Sequence, residues 1–140
     1  MKIWKSVGKC VFAALFLFVG VQHFRSTEFF VKIMPPYFPF HRELVLLSGV
    51  FEIALGMLLL VPQTTRLAAC GLIALLIAVF PANLYMYQRA ELFQVSRLAL
   101  LLRLPLQVLL IAWAWVYTRD QNDLSQKTLR LPDDASRETA

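Results

Sequence analysis

Charge is what this sequence has least of. Of its 140 residues, 16% are Asp, Glu, Lys or Arg, against ~25% in an ordinary soluble domain. Too few charged groups remain to cover a water-facing surface, which argues against a freely soluble fold. Cysteine is scarce as well: Cys10 and Cys70 are sixty positions apart, so there is no C-x-x-C to make a poised dithiol. His23 and His41 are separated by eighteen positions, neither with a second well-placed ligand, and no metal site is read. The five glycines are scattered, and none builds a phosphate-binding loop. There is no internal repeat and no Ser/His/Asp nucleophile set. Together these absences lean against an enzyme.

What is present is apolar length. Hydrophobic residues make up 59% of the chain and the mean hydropathy is +0.61. Four runs, at about 4–24, 43–61, 67–87 and 98–117, each approach the ~20 residues that cross a bilayer core as a helix. The expected fold is therefore all-α, an integral membrane bundle of four transmembrane helices occupying one domain over residues 1–118. The first run is the least apolar. Lys5 and Lys9 must extend their stems toward headgroups, and no small-residue cleavage site follows it, so it is read as an uncleaved span. Pro62 and the short stretch through Arg66 make the second and third spans an antiparallel hairpin.

The formal net charge is +5, but the positives sit singly at the ends of apolar runs. That pattern suits membrane anchoring and excludes a nucleic-acid interface. Eight basic residues fall on the side of both termini and five on the other, with Arg103 left inside a span. The positive-inside rule then places both termini in the cytoplasm, across a cell inner membrane, with the lipid bilayer as the first partner. Residues 119–140 form a polar tail, expected to be a mobile cytoplasmic end.

The longest connection, residues 22–42, is rich in aromatics, among them Phe24, Phe29, Phe30, Tyr37, Phe38 and Phe40. Ser26 or Thr27 can cap a short helix through Ile33, which Pro35-Pro36 stops. Two readings stand for it: an aromatic belt at the interface, or a lid folded over a site.

Polar residues within the spans carry the functional information. A charge at the middle of a spanning helix costs roughly 2.5–3.5 kcal/mol on insertion scales, yet Glu52 and Arg103 both lie inside apolar runs. With helices alternating in direction, His23, Glu52, Asn83, Arg103 and Gln107 all fall between the outer surface and the middle of the bilayer. Ser48, Gly49, Glu52 and Gly56 share one face of the second span, where small residues admit a neighbouring backbone. Gly71, Ala74, Ala78 and Ala82 make a similar stripe on the third. Pro81 and Pro105 each remove a backbone hydrogen bond near this zone and can widen it. Opposite signs make a Glu52–Arg103 ion pair the first expectation, and Arg103 beside it argues against a simple proton relay through Glu52. The cluster reads either as a structural network that fixes helix register or as a site.

In order along the chain, Gly20-Val21-Gln22-His23-Phe24, Met34-Pro35-Pro36, Ser48 to Gly56, Phe80-Pro81-Ala82-Asn83-Leu84-Tyr85-Met86 and Arg103-Leu104-Pro105-Leu106-Gln107 resemble the DoxX-like family of small four-helix membrane proteins. The likeness covers about residues 5–117. It implies a bundle similar to that of the vitamin K epoxide reductase group, and an inner-membrane protein of unsettled biochemical role. Because the cysteine pair of those enzymes is missing, it implies a redox-associated accessory subunit rather than an autonomous thiol oxidoreductase. A quinone or lipid-like molecule would occupy a pocket in the outer half of the bundle, at the matching positions His23, Glu52, Asn83, Arg103 and Gln107. Other membrane or redox proteins are the implied partners. The alternative is a non-enzymatic assembly or stress-response partner, with a small transporter ranked after it because no repeat is visible.

Overall fold

A computed structural model describes residues 2–119, and among these the regular structure is helical throughout. Five α-helices follow in order: α1 (Lys2–Arg25), α2 (Thr27–Ile33), α3 (His41–Leu60), α4 (Thr65–Gln88) and α5 (Arg97–Thr118), with a short 3-10 turn (Ala90–Leu92) before the last. Four of them, α1, α3, α4 and α5, are long and apolar enough to cross a membrane, so the chain is an all-α membrane protein. Each helix is one to three residues longer than its expected apolar stretch, because it continues into the polar interface while backbone bonding still favours it; α3 extends only at its start and ends at Leu60, with Val61 as its C-cap. The tail expected at 119–140 lies, after Arg119, outside the described residues.

The bundle is built by sequential packing: α1 against α3, α3 against α4, and α4 against α5. Glycine decides the first of these. A Cβ on Gly20 would meet the Gly49 carbonyl oxygen at 3.0 Å, and one on Gly49 would meet the Gly20 oxygen at 3.1 Å. The two backbones cross there with no side chain between them, as small residues permit in spanning helices. Farther along, Gly56 lies over the Ala13 carbonyl. The small-residue stripe expected on α4 does not form one packed seam. Gly71 lies against Leu55 and Ala82 turns inward, but Ala74 and Ala78 are exposed. The buried face of α4 is instead Ala68, Ala69, Leu72 and Leu76, a stripe rotated off the one that composition suggested.

The α3–α4 hairpin closes by threonine chemistry. Thr64 Oγ1 donates to Leu58 O at 2.7 Å, and Thr65 Oγ1 to Leu59 O at 3.1 Å and Val61 O at 2.9 Å. These are carbonyls a helix C-terminus leaves without an intrahelical partner. At this end of the bundle, which also carries both ends of the spanning region, aromatics fill the core. Phe12 lies 4.9 Å from the Trp113 ring and 5.0 Å from Phe16. Trp113 Nε1 donates to the Tyr117 hydroxyl at 3.0 Å, and that hydroxyl lies 3.5 Å from the Lys5 carbonyl. Through these residues α5 meets α1.

At the opposite end the short helix expected after Ser26 is present as α2. Ser26 holds the N-cap position without a side-chain capping bond, while Thr27 Oγ1 turns back to the His23 carbonyl at 2.7 Å. Pro35 follows the helix, and its carbonyl accepts from His41 Nε2 at 3.0 Å, tying the loop to the start of α3. Phe40, with φ 55°, turns the chain into α3; among the described residues no other non-glycine has a positive φ. Ile33 of α2 is buried with Met86 and Leu100, with Phe30, Tyr87 and Phe93 packed around them. This cluster seats α2 across the bundle end.

Candidate functional site

Between the two end clusters lies a cavity of about 340 Å³, within the range of small-molecule sites. Most of its wall is apolar, with Phe16, Val19, Val45, Val79 and Leu110 among the lining residues. All five polar residues singled out by depth, His23, Glu52, Asn83, Arg103 and Gln107, line it too. The aromatic connection divides between its two readings: Phe30, Ile33 and Met34 form part of the cavity wall, while Phe24, Phe29, Tyr37 and Phe40 are exposed as an interfacial belt would be.

The five do not act as one network. Asn83 Nδ2 donates to Gln107 Oε1 at 2.9 Å, and Gln107 Nε2 donates to the Leu76 carbonyl. That carbonyl lies one residue before Ile77, whose own carbonyl loses its helix bond to Pro81. Gln107, 3% exposed, is therefore a polar tie between α4 and α5. Gln107→Leu is expected to cost about 1–2 kcal/mol, near the upper range of interhelical hydrogen bonds in membranes, measured by unfolding in detergent micelles. A variant as stable as the parent would show that the tie contributes nothing.

His23 and Glu52 are each 6% exposed. The expected Glu52–Arg103 ion pair does not form: the basic partner of Glu52 is His23, with Nδ1 3.1 Å from Oε2. The faces explain the difference. Glu52 shares its side of α3 with Gly49 and Gly56, the residues over which α1 crosses, so it points to α1 and to His23. Sign and depth alone cannot set that rotation. His23 Nδ1 also lies 2.9 Å from the Val19 carbonyl, in hydrogen-bond alignment. Because a ring nitrogen carries one hydrogen, which is aligned on the Val19 carbonyl, Oε2 has the imidazole close by but is, among the described residues, a buried oxygen without an aligned hydrogen bond. The imidazole is held flat against the Phe30 ring, 3.9 Å between centroids. Arg103, from α5, completes the wall. Its Nη1 contacts Met86 Sδ at 3.3 Å, a weak acceptor, and none of the described carboxylates lies within 4 Å of it.

The cavity thus presents an acceptor with no aligned hydrogen bond among the described residues, Glu52 Oε2, and a guanidinium whose bonding capacity is largely open. Leaving a buried polar atom unpaired costs about 1–3 kcal/mol, so natural chains retain such atoms where something else satisfies them. Among the described residues no group of His, Cys, Asp and Glu is arranged to hold a metal ion. Cys10 and Cys70 are unbonded and exposed on α1 and α4.

Sequence reasoning missed the parts of this site that carry no polar side chain. Val19 contributes a backbone carbonyl, Phe30 a stacked ring and Met86 a sulfur. Phe30 left a signal as one aromatic in a loop crowded with them, and Met86 as the end of the run from Phe80 that carries the DoxX-like resemblance; Val19 left none.

The model of one protein family, described as Domain of unknown function (DUF8561), matches residues 12–118. The chain belongs to the DUF8561 family. That match spans the bundle from the Phe12 cluster to the end of α5 and takes in all five polar residues. No curated protein matches the chain. No solved structure matches it either.

Proposed function

We propose that this DUF8561 member holds an amphipathic small molecule of quinone or lipid type inside its membrane bundle, as an accessory subunit of a membrane redox system. One observation carries the reading: the buried Glu52 Oε2, without an aligned hydrogen bond among the described residues, on the wall of a cavity that Arg103 also lines. A head group that donates an O–H to Glu52 and accepts from Arg103 satisfies both. A quinol offers both functions, whereas a quinone offers acceptors alone, so the hydroxylated form is the better fit. The resemblance of the same segments to the DoxX-like family supports the redox association. The basic-residue balance supports an inner-membrane location with both termini cytoplasmic.

The apolar tail leaves sideways. α1 and α5 are not among the closely packed helix pairs, and Phe12, Trp113 and Tyr117 join them at the end away from α2. Leu15 on α1 and Leu106 on α5 line the cavity, yet they are 39% and 52% exposed. They flank an opening to the bilayer through which a ligand dissolved in lipid can enter.

Purification with native lipid followed by solvent extraction is the test, and a quinone or quinol recovered in near-stoichiometric amount is the expected result. An empty protein whose intrinsic tryptophan fluorescence ignores an added short-chain quinol would sink the reading. For the opening, Leu106→Trp is expected to slow binding of that quinol about tenfold in stopped-flow mixing, with little change in stability because the side chain is at the surface. An unchanged rate would mean that the ligand enters elsewhere.

A further inference from the structure

A second cleft lies at the other end of the bundle, between α4 and α5. It encloses about 360 Å³ and is lined by Arg66, Cys70 and Ile73 of α4 with Trp115, Thr118 and Arg119 at the end of α5. We infer that this cleft binds the phosphodiester of an anionic membrane phospholipid, with the acyl chains lying along the α4–α5 groove.

Charge is the first ground. Arg42 and Arg89, at the α2 end, lie 3.0 Å and 3.8 Å from the carboxylates of Glu28 and Glu91. Arg66 and Arg119 have no carboxylate within 4 Å among the described residues. Arg119 instead sits over the Trp115 ring, 5.8 Å from Cζ to the centroid, which orients a guanidinium and leaves its N–H edge available. Two guanidiniums on one cleft suit a phosphate, which each can grip bidentately.

Position is the second ground. Arg66 is in the first turn of α4 and Arg119 follows the last residue of α5, so both are at the level where headgroups meet hydrocarbon. Ile73 lies two helical turns deeper than Arg66, and Trp115 one turn deeper than Arg119, so a phosphate at the arginines continues into an apolar wall. A free phosphate has no use for that wall. Thr118 Oγ1 already donates to the Trp115 carbonyl at 2.7 Å and adds shape rather than a donor. Basic pockets between spanning helices are a recognised form of anionic-lipid site.

The two cysteines supply a built-in readout, because Cys70 lines the cleft and Cys10, also exposed, does not. The full-length protein in mild detergent is titrated separately with phosphatidylglycerol, phosphatidylcholine and inorganic phosphate. Lipid retention is followed by native mass spectrometry and maleimide alkylation of each cysteine by peptide mapping. Phosphatidylglycerol is expected to bind about thirtyfold more tightly than phosphatidylcholine, the preference for two basic groups at an anionic headgroup. It should slow alkylation of Cys70 and leave Cys10 unaffected. The double variant Arg66→Gln/Arg119→Gln should lose the preference while its helical circular dichroism and melting temperature remain those of the parent. Equal retention of the two lipids overturns the assignment, as does a preference that survives in the double variant. Protection of Cys70 by inorganic phosphate to the same extent also overturns it, in favour of a free-anion site.

Discussion

Glu52→Leu is expected to leave the bundle as stable as the parent, or more stable by about 1–3 kcal/mol, while lowering affinity for a short-chain quinol at least tenfold. The stabilisation follows from the geometry: Oε2 has His23 Nδ1 3.1 Å away but no aligned hydrogen bond among the described residues, so its removal recovers more desolvation penalty than it loses in attraction to the imidazole. His23 is not stranded by the change, because its Nδ1 keeps the Val19 carbonyl. If Glu52 held the helices together as half of a buried ion pair, removing it would cost about 3–5 kcal/mol. The two roles therefore predict opposite signs in one unfolding measurement. Arg103→Leu complements it: binding should weaken with little change in stability, since the Arg103 contact within the protein is to a thioether. Stability gained at the expense of binding is the expected signature of a site.

Gly49→Ala should do the reverse and harm both properties. The new Cβ would lie 2.7 Å from His23 Cβ and 3.1 Å from the Gly20 carbonyl oxygen. Neither atom can move aside by a rotamer change, so α1 must shift away from α3. Overpacking of this kind costs about 1–3 kcal/mol, and the shift carries His23 away from Glu52. Gly56→Ala is the matched control on the same face. Its Cβ would stand 3.3 Å from the Ala13 carbonyl and 3.4 Å from Leu17 Cγ, tight but relieved by a shift of a few tenths of an ångström, and its cost should be the smaller, about 1 kcal/mol. Unfolding of the two variants in the same detergent separates them; equal losses would mean that the Gly20–Gly49 crossing is not specially tight.

The four spans were legible because bilayer thickness writes itself into sequence as apolar length. The α2 helix was legible from its boundaries, Ser26-Thr27 before and Pro35-Pro36 after. Depth, obtained by alternating helix direction, was enough to send His23, Glu52, Asn83, Arg103 and Gln107 to one zone, and all five do line one cavity. Depth fixes height along a helix and leaves rotation open. Pairing Glu52 with Arg103 failed for that reason, although the glycines beside Glu52 already marked its face as the one a neighbouring backbone crosses. The α4 stripe failed likewise: Gly71, Ala74, Ala78 and Ala82 share a helical face, but the inward face is set by Leu72 and Leu76. The division of the polar cluster had no sequence signal. Whether Gln107 or Glu52 is satisfied depends on backbone carbonyls at Leu76 and Val19, and every residue has a carbonyl.

A crystal structure of the protein grown from a lipidic mesophase, after purification with its native lipid, would test the binding role of the cavity most directly. The expected density has a head within hydrogen-bond distance of Glu52 Oε2 and the Arg103 guanidinium, and a tail emerging between Leu15 and Leu106. A cavity collapsed around Glu52, or a donor from the protein itself on Oε2, would contradict it and make the polar centre a device of folding.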